Sequence, residues 1–96
     1  MKSLANLKKY TILYAEDEKG IQEEIYEILE LLFKKVYLAN NGIEARELYI
    51  KNKPNLIITD IKMPKLNGLE FIKELRKNDD KTHIAITTAF TDTELI

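Results

Sequence analysis

The sequence contains no cysteine and no apolar run long enough to cross a membrane. The absence of cysteine excludes a disulfide framework and a thiolate metal site, and it fits a reducing cytosol. Residues 1–9 lack the apolar core of a signal peptide. The formal net charge of -1 lacks the basic excess that is typical of nucleic-acid binders. We therefore expect a soluble, cytoplasmic protein that binds neither a membrane nor nucleic acid directly.

Four short apolar runs predict four strands. The chain has 96 residues, 45% of them hydrophobic, which is enough for one core, so we expect residues 1–96 to form one domain. Three of the runs are continuous rather than alternating, as in strands that are buried on both faces of a parallel sheet. The runs are Tyr10–Ala15, Val36–Ala39, Leu56–Thr59 and Ile84–Thr87.

The segments between these runs have helical spacing. The first predicted helix has an apolar face, with Glu and Gln on the opposite face, and the apolar face consists of Ile21, Ile25, Ile28, Leu29 and Leu32. The faces of the second and third helices consist of Ala45, Leu48 and Tyr49, and of Leu69, Ile72 and Leu75. Residues 91–96 fit the start of a fourth helix, capped by Thr91 or Asp92. The β-α-β-α-β-α-β order predicts an α/β fold with a doubly wound parallel sheet.

Two of the predicted strands end in carboxylates. Asp60 follows the third apolar run, and Glu16, Asp17 and Glu18 follow the first. Right-handed crossovers place the first and third strands side by side, in the strand order 2-1-3-4. Open α/β sheets bind ligands at this switch point, beyond the carboxyl ends of the strands. The sequence therefore predicts an acidic pocket.

An acidic pocket of this kind needs a cation or a proton to offset the repulsion among its carboxylates. Carboxylates in close proximity repel one another, so at least one should keep its proton near neutral pH unless a cation is bound. A shallow site with only oxygen ligands favours Mg²⁺, which also neutralises the oxygens of a phosphoryl group. A carboxylate can itself act as the nucleophile and form an aspartyl phosphate. Asp60, at the end of a central strand, is the best placed candidate for this role.

Four motifs together resemble the receiver domain of two-component response regulators. They occur in the family's order and spacing over nearly the whole chain, and they are residues 12–18, 41–45, 56–64 with Gly68, and 86–89. The resemblance implies a flavodoxin-like fold. It also implies that Asp60 accepts a phosphoryl group from a phosphohistidine on a partner histidine kinase. Glu16 and Asp17 match the acidic pair that holds Mg²⁺ together with Asp60, and the backbone carbonyl of Lys62 matches a further metal ligand.

The resemblance implies roles for residues around the phosphoryl group as well. Thr88 matches the hydroxyl residue that binds the phosphoryl oxygens and moves on activation. Ala89 matches the small residue that keeps the site open. Lys62 and Phe90 match the variable flanking positions that tune the lifetime of the phosphoryl group. The phosphorylated form would switch the binding of a downstream output domain or protein.

One family feature is missing from this sequence. The family has a fifth strand with a lysine that pairs with the phosphoryl group, a fifth helix and an aromatic switch residue, and no lysine here stands at the matching place. We therefore expect a receiver domain that is incomplete at its C-terminus, either a fragment or a receiver that lacks its own completion, and that takes up phosphoryl groups poorly. The uncovered edge of the fourth strand should favour association, as a homodimer or by domain swapping through the C-terminal half.

Other interpretations of the same residues remain open. A pseudo-receiver would keep the fold as a binding module without being phosphorylated, which the missing lysine favours and the retained acids oppose. A Mg²⁺-dependent aspartyl-phosphate phosphatase usually carries a second acid two residues after the nucleophile, where this chain has Lys62. We expect no enzyme activity beyond self-catalysed uptake and loss of the phosphoryl group. The acids 16–18 also suit a plain solvated turn before a helix, and His83 is expected to be a surface residue.

Overall fold

A computed structural model of the protein describes residues 6–87. A short 3₁₀ turn, Leu7–Lys9, precedes the first strand. The strands and helices alternate along the chain and are β1 (Thr11–Ala15), α1 (Lys19–Leu32), β2 (Lys35–Ala39), α2 (Gly42–Asn52), β3 (Leu56–Asp60), α3 (Gly68–Arg76) and β4 (His83–Thr87). The predicted start of a further helix at 91–96 lies outside the described residues.

The four strands form one parallel sheet in the order β2-β1-β3-β4, which confirms the predicted α/β fold and strand order. Ala15 in β1 is paired with Ala39 in β2 and with Thr59 in β3. Asp60 is paired with Thr87 in β4, so it is the last residue of its strand rather than the first residue after it. The carboxyl ends of β1, β3 and β4 therefore lie at the same edge of the sheet.

Hydrophobic cores lie on both faces of the sheet. On one face, Leu13 and Ile57 pack with residues of α2 and α3 such as Tyr49 and Phe71. On the other face, Tyr14 and Ile12 pack against α1. Alternate residues of the same strands thus enter opposite cores, as the continuous apolar runs predict for a sheet that is covered on both sides.

The predicted apolar face of α1 is partly wrong. Leu29 is buried, but Ile21 and Ile28 are 48% and 52% exposed. Gln22, which we assigned to the polar face because glutamine is polar, is only 2% exposed. The polarity of a side chain does not reveal whether the folded protein offers it buried hydrogen-bond partners, as it does for Gln22. Leu69 in α3 is likewise exposed, because Phe71 and Leu75 provide the buried contacts of that helix.

The start of α3 lies directly against the end of β3. The Gly68 N–H donates to the carbonyl of Ile61 at 2.8 Å, and a Cβ on Gly68 would lie 2.1 Å from the carbonyl oxygen of Asp60. The φ angle of Gly68 is not positive, so this position does not require an unusual backbone conformation. The glycine is needed for space. Asn67 and Glu70 close a capping box that fixes the first turn of the helix.

Candidate functional site

The structure brings together the three predicted carboxylates. Glu16, Asp17 and Asp60 each offer an oxygen, and these oxygens all lie within 4.8 Å of one another. Glu16 is buried, Asp60 is partly buried and Asp17 is exposed. The paired ends of β1 and β3 explain the convergence, because Glu16 and Asp60 each follow one member of the Ala15–Thr59 pair.

The three acids in the turn between β1 and α1 differ in their hydrogen bonds. The Glu16 carboxylate accepts a hydrogen bond from the Glu18 N–H at 3.0 Å, which closes the turn. The Glu18 carboxylate accepts from the N–H groups of Gly20 and Ile21 and so caps α1. Glu18 therefore fits the alternative interpretation of these acids as a turn before a helix. Within residues 6–87, the exposed carboxylate of Asp17 makes no hydrogen bond, which leaves it accessible to a cation.

The pocket is electrostatically unfavourable for its own acids. The pKa of Glu16 is raised, chiefly by burial and further by the charges of Asp60, Asp17 and Glu18, against a hydrogen bond from the Glu18 N–H. The pKa of Asp60 is also raised, chiefly by burial and also by the charge of Asp17. Backbone hydrogen bonds from Ile61 and Lys62 and the charge of Lys62 oppose this rise. A bound cation would remove the repulsion among the acids, which adds to the effect of burial on both pKa values.

The donor set fits Mg²⁺. Carboxylate oxygens are the only charged ligand atoms that the three clustered residues offer, and hard divalent ions prefer oxygen. The cluster lies at the sheet edge between two open cavities, so an ion there would keep room for several waters. Lys62 borders the cavity of about 460 Å³ that Asp17 also lines, which places its backbone beside the acids.

A second cavity, of about 490 Å³, extends from the acids along α1, and it is lined by Tyr14, Glu16, Asp17, Glu18, Ile21, Ile25, Ile58, Asp60 and Thr87. The sequence interpretation did not include Tyr14 or Thr87 among the site residues. Burial, followed by the charges of Glu16, Asp60 and Glu18, raises the pKa of Tyr14 to about 12. Tyr14 therefore stays neutral beside the acids. The pairing of Thr87 with Asp60 explains why this hydroxyl residue lies at the pocket.

Gln22 is a further neighbour that the sequence interpretation missed. Its side-chain amide donates to the backbone carbonyl of Glu16 at 2.7 Å. A signal was present, because Gln22 precedes Ile25 by three residues and Leu29 by seven. It therefore continues the buried stripe of α1 towards the acids.

The other predicted site residues are distributed as follows. Thr88, Ala89 and Phe90 lie outside the described residues. His83 is exposed at the start of β4, at the opposite end of the strands from the acids, and borders a separate cavity with Tyr10 and Asn55. This position agrees with its predicted role as a surface residue.

Residues 12–96 match the sequence profile of the response regulator receiver domain. The chain belongs to this family, as the motifs and the strand order predict. Among curated proteins it is similar to the response regulator MprA of Mycobacterium leprae, with 35% identity over 78 residues. That match covers 81% of this chain but 34% of the relative, so the chain spans about a third of the length of that response regulator.

Two solved structures show the same fold. The N-terminal domain of an uncharacterized protein from Wolinella succinogenes has a TM-score of 0.80 at 32% identity, covering 90% of this chain and 69% of that one. The receiver domain of Francisella response regulator 1452 has a TM-score of 0.77 at 32% identity, covering 90% of this chain and 71% of that one. Separately, no helix in the described part of the chain is long and apolar enough to span a bilayer.

Proposed function

We propose that the chain is a phospho-accepting receiver in which Asp60 takes a phosphoryl group from a histidine kinase. The convergence of Glu16, Asp17 and Asp60 within 4.8 Å at the ends of neighbouring parallel strands carries this proposal. Membership of the receiver family supports it. Mg²⁺ would be held by these three carboxylates and by the backbone carbonyl of Lys62, and it would neutralise charge on the phosphoryl oxygens.

The residues around Asp60 suit it to nucleophilic attack. A carboxylate oxygen of Asp60 forms a bond to phosphorus as the bond from phosphorus to the kinase imidazole nitrogen breaks, and the imidazole takes up a proton. Backbone N–H groups of Ile61 and Lys62 bind the carboxylate and orient it. Partial burial keeps bulk water from competing with the phosphodonor. The product is an aspartyl phosphate.

The consequences of phosphorylation belong to the same proposal. Thr88 would bind the phosphoryl oxygens and move, Ala89 would leave room for them, and Lys62 and Phe90 would tune the lifetime of the phosphoryl group. The modified form would then bind a downstream output domain or protein differently. We place this signalling in the cytoplasm, with no direct contact to nucleic acid or membrane and no enzyme activity beyond self-catalysed phosphoryl uptake and loss.

A pseudo-receiver is the second candidate. This alternative keeps the receiver fold and the cluster of Glu16, Asp17 and Asp60. Under this alternative the acids would bind a cation and a partner without a covalent step. A phosphatase is less well supported, because Lys62 stands where a second catalytic acid would be expected.

Radiolabelled acetyl phosphate with Mg²⁺ distinguishes these functions. A receiver should gain at most one phosphoryl group per chain and lose it slowly after the donor is removed. Continuous release of inorganic phosphate would indicate a phosphatase. Complete absence of Mg²⁺-dependent labelling would contradict the receiver proposal and favour the pseudo-receiver.

We also propose that the chain associates with a second copy through β4. Within residues 6–87, β4 pairs only with β3, and its other edge has no partner strand among these residues. Ile86 is 46% exposed on this strand, and open apolar edges promote pairing between chains. Light scattering over a dilution series should show a concentration-dependent dimer or domain swap.

Charge on this strand should weaken the association. Ile86→Lys should shift the protein towards the monomer, because lysine on an edge strand opposes pairing. Ile50→Lys is the matched control, since Ile50 is 60% exposed on α2, away from the edge. A folded monomer at every concentration of the parent protein would refute the association.

A further inference from the structure

Gln22 is a buried polar side chain directly behind the acidic pocket. It is 2% exposed, yet it lies on the first turns of a surface helix. Its amide nitrogen donates to the Glu16 carbonyl at 2.7 Å and to the Asn40 Oδ1 at 2.8 Å. A buried amide without such partners would be costly, so these two bonds account for the presence of glutamine at this position.

The orientation of the Gln22 amide is determined by its partners. The Glu16 carbonyl can only accept, so the amide nitrogen and not the amide oxygen must face it. Both hydrogens of that nitrogen are used, one for Glu16 and one for Asn40. The amide oxygen lies 3.4 Å from the Lys19 ammonium, which can only donate. In a flipped amide, the amide oxygen of Gln22 would face the carbonyl oxygen of Glu16, and both atoms only accept hydrogen bonds.

These bonds fix the backbone that carries the acids. The Glu16 N–H donates to the Ala39 carbonyl at 3.1 Å, and the Glu16 carbonyl accepts from Gln22. Because the peptide bond is planar, the direction of the Glu16 carbonyl also sets the plane from which Asp17 departs. Gln22 therefore restrains the peptide plane from which Asp17 departs, without contacting the exposed Asp17 carboxylate.

The same network extends to the start of α2. Asn40 Oδ1 also accepts from the Lys19 ammonium at 2.6 Å. The backbone and side-chain N–H groups of Asn40 donate to Glu44 Oε1 at 2.8 and 3.0 Å. The acidic turn, α1 and the β2–α2 loop are thus joined by one set of hydrogen bonds in which each partner accepts or donates consistently.

We infer that Gln22 is a positioning residue that holds Asp17 in register with Glu16 and Asp60 for cation binding. The inference rests on the proposed function, because it concerns the ion that the acids would hold. Groups that orient metal ligands without binding the metal typically contribute about 10–100-fold to metal affinity. Loss of the Gln22 bonds should therefore raise the Kd for Mg²⁺ by about tenfold or more.

Gln22→Met tests this inference, because methionine keeps the approximate volume and removes both donors. Leu29→Ala is the control, since Leu29 is buried on the same helix in the core beneath it. The control should lose about 2–5 kcal/mol of stability and keep its Mg²⁺ affinity. Mg²⁺ can be titrated against tyrosine fluorescence, because the chain has five tyrosines and no tryptophan.

Equal Mg²⁺ affinity in the parent and Gln22→Met would overturn the inference, and so would an equal loss of affinity in Leu29→Ala. If the parent itself does not bind Mg²⁺, the proposed function fails. The amide NMR shift of Asp17 in metal-free protein then tests whether Gln22 positions Asp17. A large shift change in Gln22→Met but not in Leu29→Ala supports the positioning role, whereas no change refutes it. If Gln22→Met does not fold, Asn40→Ala should lower Mg²⁺ affinity in the same direction, and unchanged affinity would refute the network.

Discussion

Asp60→Asn should abolish Mg²⁺-dependent labelling by acetyl phosphate and leave the fold intact. The amide is nearly isosteric with the carboxylate but is too weak a nucleophile to attack phosphorus. Asp80→Asn is the matched control, because Asp80 is exposed in the loop before β4, away from the acid cluster. A variant at position 60 that still takes up one acid-stable, base-labile phosphoryl group would move the phosphorylation site elsewhere.

The same variant should be at least as stable as the parent in the absence of metal. The pKa of Asp60 is raised in the folded protein, chiefly by burial, so its ionised form opposes folding at neutral pH. This opposition fades as the pH falls through the raised pKa of Asp60 in the folded protein. It is gone below the ordinary range of a carboxyl group, where Asp60 is protonated in both the folded and unfolded states. The melting temperature of Asp60→Asn at neutral pH should therefore equal or exceed that of the parent. The difference between the two melting temperatures should narrow on acidification.

Asp17→Asn should remove the stabilisation that Mg²⁺ confers on the parent. A ligand that binds only the folded state, at about a hundred times its Kd, raises the free energy of unfolding by about 2.7 kcal/mol. Asp17 is the informative acid to replace, because its exposed carboxylate makes no hydrogen bond within residues 6–87. Glu16 and Glu18, in contrast, close the turn and cap α1. The variant should therefore fold normally and fail only in the response to the ion.

Paired melts with and without Mg²⁺, at matched ionic strength, check this result. The control Asp80→Asn should keep the full response. If the parent's two melting curves coincide, the acid cluster is not a metal site at these concentrations. Retention of the response in Asp17→Asn would instead show that Glu16 and Asp60 suffice to hold the ion.

The sequence predicted the acid cluster because two strong constraints coincide there. Continuous apolar runs locate β1 and β3, and right-handed crossovers make them neighbours, so the residues after Ala15 and Thr59 had to meet. The matched family profile supports the same arrangement independently. Every strand boundary was correct to within one residue, and the inclusion of Asp60 in β3 is one of these small differences.

The surroundings of the cluster could not be predicted equally well. Gln22 was placed in solvent because polarity alone does not reveal that the Glu16 carbonyl and Asn40 would meet it in the core. Thr87 was not predicted as a site residue, although strand register pairs it with Asp60; the predicted Thr88 lies outside the described residues. Both omissions concern contacts between elements distant in sequence, which local spacing indicates only in part.

The contact between Gly68 and the carbonyl of Asp60 has a mechanical consequence. A Cβ at position 68 would lie 2.1 Å from that oxygen, so no side chain fits there between the end of β3 and the first turn of α3. We therefore expect a shift of the backbone at Asp60 to displace the start of α3. A methyl group added at position 68 should force these two segments apart.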